Sequence, residues 1–294
     1  ELNYLIKMER KGILLILKLI INSILIILIS SCSFEMGKAP KEKIFNTSER
    51  ASYLIKRSKS LRYMGKIESS IKLMENASLN FMASGNKEKF FLTNIQILIL
   101  SLTHGKERDY EAELSKLINF NLINKLKMDG PILVVKVYLN YKNKKKEMAI
   151  NLINDHLLSL KDDELKSKIY FLSLKLEVLN HVENGEIISS LSSYYERYKK
   201  KFSESRGSDG KINFELLSKA SFNLGLAYLK KRNLKKSNFW FFKNYKINKE
   251  LQHYFKLIPT LDYLKTNSDK MGLKKKSEYY QTLKQNYSEF INSL

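Results

Sequence analysis

One cysteine, Cys32, stands in 294 residues, which excludes an intramolecular disulfide and any cysteine-rich metal site. Proline (3) and glycine (11) are scarce as well. An all-β chain needs many tight turns and a nucleotide-binding α/β chain needs glycine-rich loops, so the deficit favours helices. Arginine is also rare: of 52 basic residues, 44 are Lys and 8 are Arg. Readers of base sequence lean on the bidentate guanidinium, whereas diffuse lysine gives solubility and salt-sensitive attraction to anions. The formal charge of +22 therefore does not point to nucleic acid. With 44% apolar and 28% charged residues the chain buries enough surface to offset its ordering entropy, and it should fold.

Catalytic signatures are missing too. His104, His156, His181 and His253 lie far apart in sequence, without a His-Glu-x-x-His pair or a carboxylate at metal-ligand spacing, and each reads as a surface or turn residue. No Gly-x-Ser-x-Gly marks a hydrolase elbow. The stretch Gly207 to Lys211 lacks the spacing of a phosphate-binding loop. Asp162, Asp163 and Glu164 stand where a helix should begin and suit its N-terminus better than acid–base work. The expectation is a non-enzyme with no catalytic residue, no metal, no cofactor and no small-molecule substrate.

What is present begins at the N-terminus. Met8-Glu9-Arg10-Lys11 precedes an apolar run from Gly12 to Ile29, interrupted at Lys18, Asn22 and Ser23, and the run ends in Ile29-Ser30-Ser31-Cys32. A basic start, an apolar segment and small residues form a secretion pattern. The last four residues resemble a bacterial lipobox. That resemblance implies cleavage before Cys32 and lipid attachment to it, with Met8 as the expected start and Glu1–Lys7 as an upstream extension. The alternative is an uncleaved anchor, because Ile13 to Ser31 is 19 residues and just long enough to span a bilayer. Either reading puts the remaining chain outside the cytoplasm and tethered to a membrane. Removing residues 1–31, with Lys7, Arg10, Lys11 and Lys18 against Glu1 and Glu9, leaves +20 on the other 263 residues. Residues 32–48 show no apolar periodicity and read as a short lipidated tether.

From residue 49 onward apolar residues recur three and four apart without strand-like alternation, so the domain at 49–294 reads as all-α. Breaks fall at Gly65, His104-Gly105, Asn143-Lys144, Asn184-Gly185 and Arg232-Asn233, about 40 residues apart, with the loop Ser203–Lys211 widening the last interval. The spacing predicts five antiparallel helix pairs over 52–78, 88–120, 131–159, 166–200 and 214–246. A further helix is expected at 249–265, and a capping helix at 276–292. An irregular helical bundle is the alternative.

Asn223-Leu224-Gly225-Leu226-Ala227-Tyr228, followed by Arg232, Leu234, Ser237, Phe241 and Asn244, resembles a tetratricopeptide repeat. Leu54, Leu61, Gly65, Ser70, Met74 and Ala77 echo it in the first pair. The resemblance implies a right-handed superhelical stack whose Gly225 admits a close partner helix, and whose inner face carries Lys219, Phe222, Asn223, Leu226 and Lys230. A Lys and an Asn one turn apart suit a carboxylate. The lipidated cysteine, short tether and five helix pairs together resemble the layout of BamD-type lipoproteins of outer-membrane protein assembly.

Phe239-Trp240-Phe241-Phe242 with Tyr245 is the other unusual feature. At 100° per residue four consecutive aromatics cannot share one helix face. Packing against the C-terminal helices is one reading; an exposed aromatic hot spot at Phe239, Trp240 and Phe242 for a protein partner is the other. The functional expectation is a lipid-anchored scaffold at the bacterial cell envelope, in the outer membrane with a periplasmic or surface face, holding a protein partner. Its competitor is a surface lipoprotein that binds a host or matrix anion through lysines.

Overall fold

The computed structural model describes residues 46–293 except 106, 183 and 205–212, and the side chains of 202–204 are also left aside. The expected signal segment, Cys32, most of the tether and residues 205–211 of the expected loop lie outside the described residues, whereas 203 and 204 end a helix. The described residues form helices and no strands, so the domain is all-α. The helices are α1 (Thr47–Tyr63), α2 (Ile67–Ala83), α3 (Lys87–Thr103), α4 (Tyr110–Ile123), α5 (Asp129–Lys142), α6 (Lys146–Ser159), α7 (Leu165–Val178), α8 (Gly185–Glu204), α9 (Phe214–Lys230), α10 (Leu234–Glu250), α11 (Tyr254–Lys270) and α12 (Lys274–Ser293). None of them is long and apolar enough to cross a membrane.

Local chemistry explains the boundaries. Asn86, Asp109, Asn184, Asn213 and Asn233 each accept a hydrogen bond from the backbone N–H three residues on, which satisfies an orphan donor at the start of α3, α4, α8, α9 and α10. The fourth predicted break is thus an N-cap, and the preceding helix ends earlier, at Asn180 and His181 (φ +53° and +57°). Eight links share one geometry. The N–H groups of Lys66, Asn86, Leu126, Lys145, His181, Asn233, His253 and Leu273 each reach the carbonyl five residues back, at 2.8–3.1 Å. Before them, Gly65, Gly85, Lys125, Lys144, Asn180, Arg232, Gln252 and Gly272 take positive φ, as this helix C-cap requires.

Successive helices pack on one another, in the order of the predicted pairs. The expected lone helix and cap are α11 and α12, which pack together as a sixth pair instead. The apolar core is a chain of adjoining clusters rather than one centre: Ile71, Met74 and Ile97; then Phe91 to Val135; then Val134 to Val178; then Leu165 to Ile247; then Phe241 to Leu264. At the α9–α10 crossing, a Cβ on Gly225 would lie 2.7 Å from the buried Phe241 ring, so only glycine admits this approach. Ser237 donates to the Gly225 carbonyl there at 2.9 Å.

A polar seam continues the contact. Asn244 donates to the Ser218 carbonyl (2.6 Å) and accepts from Asn248 (2.8 Å) and Thr260 (2.7 Å), and all four residues are buried. The Asn244 amide therefore ties α9, α10 and α11 together. A buried network satisfied in this way specifies one arrangement of its helices.

The first and last pairs also meet. The Tyr63 hydroxyl donates to Glu215 Oε1 at 2.7 Å, Lys59 pairs with the same carboxylate, and Arg62 lies 3.7 Å from it. The Tyr63 ring stacks on His253 with centroids 4.1 Å apart. Phe255 lies against Gly65, where a Cβ would come within 2.5 Å of its ring. This joins α1 to α9 and to the start of α11.

Candidate functional site

A groove runs along the inside of the helix array as three adjoining chambers. The largest, about 740 Å³, is bounded by Lys59, Gln96, Lys166, Tyr170, Glu215, Lys219 and Lys256. A more apolar one of about 470 Å³ shares Gln96, Lys166 and Tyr170 with it, and adds Leu92, Ile99, Pro131 and Val134. A third, about 320 Å³, shares Lys219 and Lys256 and adds Glu177, Phe222, Asn223 and Pro259. Most of these side chains project from α1, α3, α5, α7, α9 and α11, the first helix of each pair.

Of the expected inner-face residues, Lys219, Phe222 and Asn223 line the groove. Leu226 packs instead onto the cluster of Phe241, Tyr245 and Leu257, and Lys230 is exposed at the end of α9. Lys219 and Asn223 do clasp a carboxylate, but it is the chain's own. Lys219 Nζ is 3.1 Å from Glu177 Oε2, and Asn223 Nδ2 donates to Glu177 Oε1 at 3.0 Å. Tyr138 adds a hydroxyl donor to Oε2 at 3.1 Å, and the His181 ring meets Asn223 Oδ1 at 3.1 Å. Burial alone would lower the Lys219 ammonium, but Glu177, Tyr138 and Tyr170 together hold it above the ordinary lysine range.

Lys256 is the contrast. Although the residue as a whole is exposed, it lines two of the chambers, and among the described residues no carboxylate lies within ion-pair distance of its ammonium. Burial, with Lys219 and Arg62 nearby, pulls it down to about 8 against the opposing pull of Glu215 and Glu177.

The aromatic run divides by helix face. Trp240 is buried, edge-on to Tyr195 of α8 at 5.0 Å, and so is core rather than hot spot. Phe241 points the other way, 4.7 Å from Tyr263 of α11 and parallel to it. Phe239 and Phe242 are exposed, each beneath a lysine: Lys243 at 4.4 Å and Lys246 at 4.8 Å.

No protein family matches this chain, and no curated protein matches it. The groove's own chemistry is therefore what bears on function.

The histidines serve packing. His253 is buried against Tyr63, His156 lies 4.2 Å from Phe171, and of the four only His104 is exposed. His253 is a turn residue, as expected, at the start of α11, and the contact between the ends buries it there. Asp162 and Glu164 occupy the α6–α7 link, as expected: Glu164 accepts from the Lys161 N–H at 2.7 Å, and Asp162 pairs with Lys168 at 2.8 Å. Sequence reasoning missed Lys256, Glu177 and Glu215. Glu177 lies 42 residues before Lys219, and no local spacing signals that they meet.

Proposed function

We propose that the chain is a lipid-anchored, non-enzymatic scaffold of the bacterial cell envelope. In this reading its helix pairs stack as a tetratricopeptide-like superhelix, and its inner groove holds an extended segment of a protein partner. The observation that carries the reading is the origin of the groove's walls: they come mainly from the first helix of each pair, as a repeat stack requires of a concave face. The mixed lining suits an extended segment, with apolar side chains Leu92, Ile99 and Val134 beside polar Gln96 and Lys166. In this reading lipid on Cys32 fixes the scaffold to the membrane, and the likeness of layout to BamD-type lipoproteins supports a role in envelope or outer-membrane protein assembly.

Photo-crosslinking residues placed at Gln96 and at Leu158, which is 86% exposed outside the groove, test this in intact cells. The reading expects one discrete adduct from position 96 and none from position 158. Equal or absent adducts at both positions contradict it. Retention of a Cys32→Ala chain at the membrane contradicts the anchor.

A further inference from the structure

We propose that the 320 Å³ chamber at Lys256 is a binding site for a small organic monoanion, with a carboxylate head on the Lys256 ammonium and an apolar body against Phe222 and Pro259. This goes beyond the partner-holding groove and does not rest on it.

Charge is the first ground. Lys59 and Arg62 share Glu215 and Lys219 holds Glu177, so with Lys256 this stretch of the wall carries more positive than negative charge, and Lys256 is the cation there that no described carboxylate pairs with. The one carboxylate lining this chamber, Glu177, is already held by Lys219, Asn223 and Tyr138, so the Lys256 ammonium is left to an external anion, whose attraction the surrounding protein raises above its value in open water.

Shape and neighbouring chemistry are the second ground. A water occupies roughly 30 Å³ of liquid volume, so 320 Å³ holds a body of about ten heavy atoms. One wall is apolar, with Phe222 set edge-on against Phe241 and Tyr263 at 5.6 and 5.8 Å, so the ring is fixed before any ligand arrives. The other wall holds Ser218, Asn223 and Asn244, whose polar groups are engaged with one another or with neighbouring backbone and side chains. They offer little to a neutral polar ligand. In the adjacent clasp, Lys219 and Asn223 of α9 already hold one carboxylate, that of Glu177 from α7.

Protonation follows from the same geometry. Lys256 faces Glu215 and Lys219 of α9, Arg62 of α1 and Glu177 of α7. With its ammonium depressed to about 8, affinity for the anion should fall as pH rises through and above that value.

Phenylacetate, with ten heavy atoms, is the probe, with acetate and benzyl alcohol supplying the head alone and the body alone. Full-length protein is treated with a trace of acetic anhydride at pH 8, and each lysine is quantified by mass spectrometry. Lys256 should acylate at least tenfold faster than exposed Lys275. Phenylacetate should protect Lys256 saturably without protecting Lys275, acetate should protect it less, and benzyl alcohol not at all. Lys256→Met should weaken phenylacetate binding at least tenfold while the helical circular dichroism is kept, and Lys256→Arg should restore binding without the loss above pH 8. Unprotected Lys256, or equal binding by Lys256→Met, overturns the proposal.

Discussion

At residue scale, two positions decide the α9–α10 crossing, and they do so in opposite ways. Gly225 contributes by having no side chain, and Asn244 by having a polar one. Alanine is a better helix former than glycine by about 1 kcal/mol, so an exposed Gly→Ala change in mid-helix stabilises. At position 225 the new methyl meets a fully buried ring that is itself stacked on Tyr263, and overpacking of that kind costs about 1–3 kcal/mol. Gly225→Ala should therefore lower stability by roughly 1 kcal/mol, read as a reduced urea midpoint; an increased midpoint would show that Phe241 can move aside. Both residues could be singled out from the repeat-like pattern. The Asn244 partners could not, because Thr260 lies in the next helix and no spacing rule connects the two.

At element scale, the turns were legible and their pairing partners were not. Asn and Gly mark most helix ends because they tolerate, or cap, the local geometry at the least cost. Arg232 and Lys144 adopt the same positive φ without any such signature. The aromatic run was legible as a conflict, since 100° per residue forces it onto several faces. Which ring faces which neighbour depends on α8 and α11, so Trp240 could not be told from Phe239. The link from α1 to α9 and α11 was invisible: Tyr63 and Glu215 are 152 residues apart.

That link carries a pH dependence with a definite sign. Burial, then the charges of Lys256, Arg62 and Lys59, pushes His253 down to about 3 against the pull of Glu215. The folded state thus prefers the neutral ring, and its contribution is fully present above the unfolded value of about 6.5 and is lost as pH falls from there toward 3. The loss has an upper bound of about 1.4 kcal/mol for each pH unit in that window. Glu215 acts lower. Burial would raise its carboxyl, but Lys59, Tyr63 and Arg62 outweigh that and hold it below the ordinary range, so its contribution fades only below about pH 4.3. Hydrogen exchange at pH 7 and pH 5 should show α1 losing protection first on acidification, and His253→Phe, which keeps a ring beside Tyr63, should abolish that difference. Uniform loss of protection along the chain would contradict it.

At the scale of the whole molecule, the clusters form a line, each touching only its neighbours. An array of that kind approximates a sum of local units and frays from its ends. The Tyr63–Glu215 contact adds a term that no nearest-neighbour sum contains. Equilibrium urea unfolding should show one transition for the natural chain, and an earlier, separate loss of the first pair in a Glu215→Ala, Tyr63→Phe double variant. Superimposable curves would mean that the contact adds nothing to cooperativity.

The meeting of the ends has one more consequence, for rates. On the proposed reading, a partner segment would lie beside the contact that holds α1 against α9 and α11. If that contact narrows the groove, the segment would have to thread past the joined ends or wait for them to part. Association would then level off with rising partner concentration at the rate of parting, and salt that weakens the Glu215 pairs would speed arrival and departure together while leaving the equilibrium nearly unchanged.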